Sequence, residues 1–226
     1  MKAGQNPLGA TSKPMRLSGE VYEFLLERLM SLEIKPGERI GVDALARMLD
    51  VSQTPIREAL IRLEDQGLVA KLHLSGYRAA EQLTRRQFDE MCELRLLIEP
   101  AGASKAAWLM PDADISALAA LAEAMAEPSS AAGQAAYTRF AEQDAVFHAR
   151  ISEAAGNELL TGILARQTIH LRLFRLRRLP AVTQDALVEH SRIMSAFAAR
   201  DAVAAEAAMR AHLERARDRF LKAFYT

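Results

Sequence analysis

The chain has 226 residues, half of them hydrophobic, and its 29 lysines and arginines are balanced by 29 aspartates and glutamates. This length suits one large domain or two small ones, and the absence of net charge gives no indication of nucleic-acid binding. No run of about 18 uncharged apolar residues and no basic-then-apolar leader occurs, so we predict a cytoplasmic protein with no membrane partner. The single cysteine, Cys92, excludes an internal disulfide, and we expect it to be buried.

The N-terminal part starts with residues 1–15, which lack an apolar period and are predicted to form a flexible tail. From Ser18 the spacing of apolar residues predicts a first amphipathic helix, which the turn Lys35-Pro36-Gly37 ends. A second short helix is predicted next, with Asp43 as its cap and Leu49 among its buried residues.

Residues 51–60 read Val-Ser-Gln-Thr-Pro-Ile-Arg-Glu-Ala-Leu and predict the start of a third helix. Ser52 is placed to cap this helix, and Pro55 lies in the first turn, where its missing N–H costs nothing. The same pattern fits an ordinary capped surface helix, so the neighbouring elements have to decide. The side chains left outside, near the N-terminal end where DNA bases and phosphates are bound, are Gln53, Thr54 and Arg57.

A small hairpin is predicted after the third helix. Residues 68–72 form a candidate strand, Ser75-Gly76 a turn and residues 77–80 a weaker returning strand. Two helices joined by about four residues and followed by a hairpin make a winged helix-turn-helix. We therefore predict such a DNA-binding domain over residues 16–80, followed by a linker over residues 81–84.

Four motifs occur in order in this domain: Ile34-Lys-Pro-Gly-Glu-Arg-Ile40, Leu45-Ala46, Val51-Ser-Gln-Thr-Pro-Ile-Arg-Glu-Ala-Leu-Ile-Arg-Leu-Glu64 and Gly67-Leu-Val69. Together they resemble the N-terminal domain of the GntR family of bacterial transcription regulators. The family usually has arginine where this chain has Gln53, and some members have arginine where it has Asp43. Both departures remove positive charge from the predicted DNA-binding surface.

The resemblance implies roles for individual residues on double-stranded operator DNA. Arg57 is expected to hold a guanine edge or a flanking phosphate, Thr54 to contact phosphate, and Gly76 to let the wing approach the DNA closely. The full predicted DNA-binding set is Arg39, Ser52, Gln53, Thr54, Arg57 and Gly76.

The predicted DNA-binding module carries no net charge, because residues 1–82 contain eleven basic and eleven acidic side chains. Since each neutralised phosphate contributes to affinity through counterion release, we expect modest binding that depends strongly on dimerisation. Gln53 fits the N6 and N7 edge of adenine, a pair that contributes roughly 1–3 kcal/mol of discrimination. Our hypothesis is that Gln53 shifts base preference while Arg57 supplies affinity.

The remainder of the chain, residues 85–226, is rich in alanine, leucine, arginine and glutamate and is predicted to be helical. Thr84 is a plausible cap for the first helix. The predicted fold class is therefore mainly α, with the winged helix-turn-helix followed by an all-helical domain over residues 85–226. The six predicted helices span about 85–109, 112–126, 135–155, 157–178, 184–199 and 201–224.

Four side chains in the helical part suggest a metal site. Asp144 and His148 are four residues apart on one helix face, a spacing that two ligands of one metal need but that ordinary hydrogen-bonded pairs also show. His190 and His212 lie beside apolar residues on inward faces, and a buried polar group without a partner costs roughly 1–3 kcal/mol. A shared divalent ion would satisfy all four. Zinc, nickel, manganese or iron suits these ligands, with zinc or nickel favoured.

Further motifs extend the resemblance: Asp144-Ala-Val-Phe-His-Ala-Arg-Ile151, Ala155-Gly-Asn-Glu-Leu-Leu160, His190-Ser-Arg-Ile193 and Ala207-Ala-Met-Arg-Ala-His-Leu213. They resemble the ligand-binding FCD domain of the FadR-type branch of GntR regulators. The resemblance implies that Asp144, His148, His190 and His212 coordinate a divalent ion inside an antiparallel all-helical bundle. We expect this domain to bind the metal and the effector, and to form the contact by which the chain binds its operator as a homodimer.

An effector site also needs a group that holds an anion. Glu93-Leu-Arg95-Leu-Leu-Ile-Glu99 resembles the Arg-x-x-x-Glu signature of the family, so Arg95 is expected to face the cavity. The alternative for Arg95 is a surface ion pair with Glu99. Arg172 is a weaker candidate with Arg175, and their helix also fits a solvated basic face.

We predict a DNA-binding transcriptional regulator, a repressor, whose operator affinity is controlled by a small organic acid bound at the metal. One alternative is a helical domain that serves dimerisation alone and contains a structural metal. Another is a metallohydrolase, since one aspartate and three histidines with an open position can activate water. The sequence has no glutamate in a His-Glu-x-x-His arrangement, so we do not predict an enzyme.

Overall fold

The computed structural model describes residues 14–72, 76–126, 133–167, 169–176 and 180–225. The chain divides into two units, Met1–Gln82 and Leu83–Thr226, and this boundary lies within the predicted linker. All but the last two residues of the predicted tail lie outside the described ranges. None of the described helices is long and apolar enough to cross a membrane.

Three helices form the core of the first unit: α1 (Pro14–Met30), α2 (Val42–Leu49) and α3 (Gln53–Asp65). α1 starts before Ser18 and so takes in the end of the predicted tail. It also ends earlier than predicted, because Leu32 adopts a left-handed conformation with φ of 61° and breaks the helical path. The apolar faces of α1 and α3 pack together. At their centre Leu25, Leu60 and Leu63 are fully buried.

The turn between α2 and α3 is built on Asp50, which is left-handed at φ 53° and donates its N–H to the Ala46 carbonyl. Asp tolerates this conformation better than most residues. The cap position of α2 is Gly41, so the prediction of Asp43 as a cap is wrong: its side chain lies in the first turn and is exposed. Ser52 occupies the cap position of α3, but its hydroxyl makes no capping hydrogen bond.

A three-stranded antiparallel sheet completes the first unit. Its strands are β1 (Arg39–Ile40), β2 (Val69–Leu72) and β3 (Gly76–Ala79), in the order β1-β3-β2. The hairpin was predicted, whereas β1 was not. Gly76 starts β3 rather than lying in the turn, and Ser75 falls outside the described residues. The φ of Gly76 is +89°, which favours glycine, and an added Cβ would lie 3.4 Å from the Ile40 carbonyl oxygen.

The second unit is helical throughout its described elements. Its helices are α4 (Arg85–Leu109), α5 (Asp112–Ala126), α6 (Gln134–Ala154), α7 (Glu158–Gln167), α8 (Ile169–Phe174), α9 (Pro180–Ala198) and α10 (Ala202–Leu221), followed by a 3₁₀ turn (Lys222–Phe224). The predicted helix at 157–178 corresponds to α7 and α8 and ends earlier, at Phe174. α9 includes residues 180–183, which were predicted to precede it.

Helix α4 begins with a capping box that the sequence predicted in part. The Thr84 hydroxyl accepts from the Gln87 N–H at 3.2 Å, and the Gln87 side chain accepts from the Thr84 N–H at 3.0 Å. These reciprocal bonds satisfy two backbone donors at the helix start. From there α4 packs against α6 and α10, and α9 packs against α10. Three large side chains of this unit are fully buried: Phe88 on α4, Phe147 on α6 and Phe197 on α9.

Candidate metal centre and DNA-binding surface

The four predicted metal ligands come together inside the second unit. Asp144 and His148 project from one face of α6, His190 from α9 and His212 from α10. All four residues are buried, with exposures of 4% or less. One ligand atom from each lies within 4.8 Å of every other, so helix packing produces the convergence that the spacing on α6 alone could not establish.

The distances between these atoms suit a single small cation. His148 Nε2 lies 3.2 Å from His212 Nε2, and His190 Nε2 lies 3.2 Å from Asp144 Oδ1. His148 Nε2 and Asp144 Oδ1 are farther apart, at 4.0 Å. Two ligand atoms about 2.1 Å from one ion are about 3.4 Å apart in tetrahedral geometry and about 3.0 Å apart when adjacent in octahedral geometry. The centre is therefore close to the size that a first-row divalent ion requires.

Two glutamates fix the orientation of two of the imidazoles. Glu99 Oε2 lies 2.7 Å from His148 Nδ1, and Glu189 Oε2 lies 2.9 Å from His212 Nδ1. An ionised carboxylate can only accept, so Nδ1 bears a hydrogen in both rings, and in the neutral form of each ring Nε2 bears the lone pair. This is the arrangement by which outer carboxylates orient metal-bound histidines and raise their basicity.

The resulting tautomers direct two lone pairs at one another. In the unprotonated form that metal binding requires of both rings, with the hydrogen on Nδ1, no hydrogen lies between the Nε2 atoms of His148 and His212, which are 3.2 Å apart. Neither ring nitrogen of His190 has a hydrogen-bond partner among the described residues. Its ring is held by stacking on Phe147, with centroids 4.4 Å apart. Buried lone pairs facing one carboxylate are unfavourable by themselves and are satisfied by a cation.

Each outer glutamate is paired in turn with an arginine. Arg95 Nε donates to Glu99 Oε1 at 2.5 Å, and Arg219 donates to both oxygens of Glu189 at 2.7 Å. Burial alone would raise the pKa of Glu99, but Arg95 and His148 hold it well below its usual value. Glu189 is likewise opposed by burial, yet Arg219 and His212 lower its pKa to about 2. Both carboxylates are therefore ionised acceptors at neutral pH.

The surroundings of His212 keep its imidazole neutral. Burial lowers its pKa to about 3, and the neighbouring His190 and His148 contribute to the depression, although Glu189 acts in the opposite direction. Metal binding requires an unprotonated imidazole. The environment of His212 thus favours the form that can act as a ligand.

The predicted effector-binding arginines are placed differently from one another. Arg95 is 5% exposed, so it forms a buried ion pair with Glu99 rather than the surface pair considered as its alternative. Its Nη2 also lies 3.4 Å from His148 Nδ1. Arg172 is half-buried, and burial lowers its pKa. Arg175 is 3% exposed, so the description of this helix as a solvated basic face is wrong for that residue.

The predicted DNA-binding side chains lie on the first unit. Gln53, Thr54 and Arg57 are exposed on the first turns of α3, as their spacing against the buried face predicted. Ser52 and Arg39 are exposed, and Gly76 is half-buried at the start of β3.

A hydrogen-bonded chain crosses this surface. Gln53 Nε2 donates to Asp43 Oδ1 at 2.5 Å, and Arg57 Nη2 donates to Gln53 Oε1 at 3.1 Å. The two positions noted in the sequence for their lack of positive charge are thus in direct contact. The surface couples α2 to α3 through side chains.

Sequence reasoning missed Glu189 and Arg219. Glu189 directly precedes His190, but it bonds to His212 on the neighbouring helix. Arg219 is seven residues after His212, a spacing that places both on one face of α10, and this was the available signal. The pairing itself depends on how α9 and α10 pack.

Comparison with known proteins places this geometry in a family. Residues 17–78 match the family described as bacterial regulatory proteins, gntR family, and residues 90–215 match the FCD domain. The HTH-type transcriptional regulator LutR of Bacillus subtilis (strain 168) is 31% identical over 211 residues, which cover 82% of this chain and 93% of LutR. The Uxu operon transcriptional regulator of Escherichia coli (strain K12) is 28% identical over 226 residues, covering 90% of this chain and 86% of that protein.

A solved structure shares the fold. E. coli McbR/YncC is 19% identical and matches with a TM-score of 0.68 over 92% of this chain and 98% of that chain. The family that residues 17–78 match and the two curated relatives are transcriptional regulators, not enzymes. The chain therefore belongs to the GntR family of DNA-binding transcription regulators, in the branch with a C-terminal FCD domain.

Proposed function

We propose that the chain is a homodimeric repressor that binds operator DNA and whose affinity for that DNA is set by a small organic acid. In this proposal Asp144, His148, His190 and His212 hold a divalent metal ion, zinc or nickel in preference to manganese or iron. The acid binds at the metal through a carboxylate. We place the protein in the cytoplasm, as expected from the sequence.

The observation that supports the metal most strongly is the pair of facing Nε2 atoms on His148 and His212. Their separation is 3.2 Å, and the glutamates behind them direct both lone pairs inward. The bound ion would act as the Lewis acid to which a carboxylate binds. The residues around it supply orientation: Glu99 and Glu189 fix two rings, and Phe147 fixes the third by stacking.

Charge at the centre favours an anionic effector. The carboxylates of Asp144, Glu99 and Glu189 outnumber the guanidinium groups of Arg95 and Arg219 by one. These five groups thus leave one negative charge without a metal and one positive charge with a divalent ion. A buried charge is costly unless it is paired. The metal-loaded centre should therefore favour a monoanion, and carboxylate binding should depend on the metal.

We assign Arg95 to the effector site as a neighbour of His148. It is buried and lies 3.4 Å from a ring atom of the ligand His148. A guanidinium can contact a second acceptor while it remains paired with Glu99, since it has five N–H donors. We assign Arg172 a secondary role in effector binding. Its side chain is half-buried, and its Nε has no hydrogen-bond partner among the described residues.

On the DNA side, we infer that Ser52, Gln53, Thr54 and Arg57 face the major groove at the N-terminal end of α3. Arg39 and Gly76 belong to the adjoining sheet, and we assign them to the DNA backbone. Helix-turn-helix proteins read two half-sites as dimers. The second unit would supply the dimer contact, and an acid bound at the metal would change operator affinity by favouring one dimer arrangement.

A structural metal remains a second candidate, on one specific observation. The protein offers four buried ligands, and structural zinc sites are four-coordinate and closed, whereas sites that bind ligands keep a position open. In that case the second unit would serve dimerisation alone.

One set of measurements separates the two candidates. The purified full chain is analysed for metal, then screened by thermal shift against small organic acids, with and without a chelator. We expect a divalent ion in the wild type, its loss in His190→Ala, and stabilisation by a carboxylate that the chelator abolishes. The same acid should release a labelled operator duplex. Metal without any response to acids would support the structural candidate, and no metal in the wild type would refute both.

A further inference from the structure

The polar chain Asp43–Gln53–Arg57 determines which way the Gln53 amide faces. An amide has a donor end and an acceptor end of similar shape, and a free glutamine can present either order. Here the donor end meets the Asp43 carboxylate at 2.5 Å, and the acceptor end meets the Arg57 guanidinium at 3.1 Å. A carboxylate only accepts and a guanidinium only donates, so both neighbours enforce the same order.

This fixed order leaves a defined edge for a base. Asp43 occupies one of the two N–H groups of Gln53, and Arg57 occupies one of the two lone pairs on Oε1. The remaining N–H and lone pair match adenine, which offers the N7 acceptor and the N6 donor in the major groove. Guanine offers two acceptors on the same edge, O6 and N7, and would leave the glutamine oxygen facing an oxygen.

The charge of Asp43 acts in a second way. The side chain is exposed near the N-terminus of α3, where a phosphate or base edge approaches. A negative charge at that position repels DNA of every sequence, because phosphate contacts dominate non-specific affinity. Asp43 therefore lowers binding to all DNA, while its hydrogen bond favours one base.

We propose that Asp43 is a specificity-determining residue that acts through Gln53: it fixes the amide so that Gln53 reads adenine, and its charge suppresses binding to other sequences. The proposal rests on the proposed function in one respect, that the chain binds operator DNA through α3. Asp43 is a positioning residue in this account, and Gln53 makes the base contact.

The test compares two substitutions that separate the hydrogen bond from the charge. Asp43→Asn keeps an oxygen acceptor for the Gln53 N–H and removes the charge, whereas Asp43→Ala removes both. The full-length wild type first selects sites from a random duplex pool. Repeating the selection with Gln53→Ala identifies the base pair at which this variant loses sequence preference. Two duplexes, with A·T or G·C at that base pair, are then titrated with the wild type, each single variant and the double variant Asp43→Ala/Gln53→Ala.

We expect the wild type to prefer the A·T duplex by about 5- to 150-fold, the range for one bidentate base contact. Asp43→Asn should bind both duplexes more tightly with the preference retained. Asp43→Ala should bind both duplexes more tightly with a weaker preference, because Arg57 alone then fixes the amide. The double variant should match Gln53→Ala in preference but bind both duplexes more tightly, because it lacks the Asp43 charge. A wild-type preference in Asp43→Ala, or a lost preference in Asp43→Asn, would overturn this inference alone. A wild type that selects no sequence would overturn the proposed function as well.

Discussion

Glu189 and Arg219 form two hydrogen bonds of 2.7 Å each, and the same carboxylate lies 2.9 Å from the Nδ1 atom of His212. Arg95 and Glu99 form the matching arrangement behind His148. Two of the three histidines are therefore oriented by an arginine-paired glutamate, and the third is held by an aromatic ring. The centre is ordered by groups that do not themselves contact the proposed metal.

Loss of one outer carboxylate should weaken metal binding. Glu189→Gln removes the negative charge that raises the basicity of His212, and changes of this kind cost about 10- to 100-fold in metal affinity. Competition titration against a chelating indicator measures it. Glu206→Gln is the matched control, because Glu206 on α10 forms an exposed ion pair with Arg210 at 3.4 Å. Equal affinity in Glu189→Gln and wild type would contradict the orienting role.

Metal should stabilise the folded chain, and His190 should be required for the effect. At a free metal concentration 100 times the dissociation constant, the wild type should gain about 2.7 kcal/mol in the free energy of unfolding. His190→Ala also loses its stacking on Phe147, so the difference with and without metal is compared within each variant. Chemical unfolding provides the measurement, with Ser191→Ala, at an exposed position, as control. A full metal response in His190→Ala would exclude it as a ligand.

The single thiol should report the integrity of the second unit. Cys92 is 7% exposed, and burial raises its pKa to about 11. The reactive thiolate at pH 8 is then about one part in a thousand, compared with about one in ten at a pKa of 9. We expect slow alkylation of the native chain, one label per chain after unfolding and slower labelling with metal present. Cys92→Ser should take up no label. Rapid labelling of the native protein would show that this part of α4 opens readily.

The hairpin should depend on glycine at position 76. An alanine there must adopt a φ of +89°, and side chains in the left-handed region cost roughly 1–2 kcal/mol. Hydrogen exchange of the first unit should therefore show lower stability in Gly76→Ala. Gly19→Ala is the opposite control: an added Cβ meets nothing within 4 Å, and alanine in a helix is favoured by about 0.5–1 kcal/mol. Equal stability of the two variants would contradict the conformational argument.

Arg57 should supply operator affinity. Its removal in Arg57→Ala should weaken binding by about 1–3 kcal/mol, as for loss of a good base contact, and anisotropy titration at several salt concentrations measures the change. A base contact leaves the salt dependence unchanged, whereas a phosphate contact lowers its slope by about 0.9. Arg210→Ala, in the second unit, is the control. Unchanged affinity in Arg57→Ala would refute the role.

Much of the first unit followed from periodicity. Ile56, Leu60 and Leu63 recur at helical spacing and are fully buried, so the side of α3 left exposed was predictable. β1 was not predictable, because two residues have no period, and Arg39–Ile40 forms a strand only by pairing with β3. The early end of α1 at the left-handed Leu32 likewise has no local signal, since leucine does not favour that conformation.

The candidate metal centre was likewise predictable from the sequence only in part. Its four residues were identified from inward-facing polar side chains and from family resemblance, because burial of such groups requires a partner. The partner of Glu189 could not be found this way, since helices α9 and α10 bring it to His212 only in the packed structure. Burial of the ion pair between Arg95 and Glu99 could not be predicted either, because it depends on the packing of α4 on α6.

Helix α4 links the DNA-binding unit to the candidate metal centre along the chain. It begins at Arg85, directly after the boundary of the DNA-binding unit, and its Glu99 holds the ring of His148. At 1.5 Å per residue, these two points on the helix are about 20 Å apart. In the proposed function, a change in how Glu99 holds the His148 ring would act on α4, the helix that follows the DNA-binding unit along the chain.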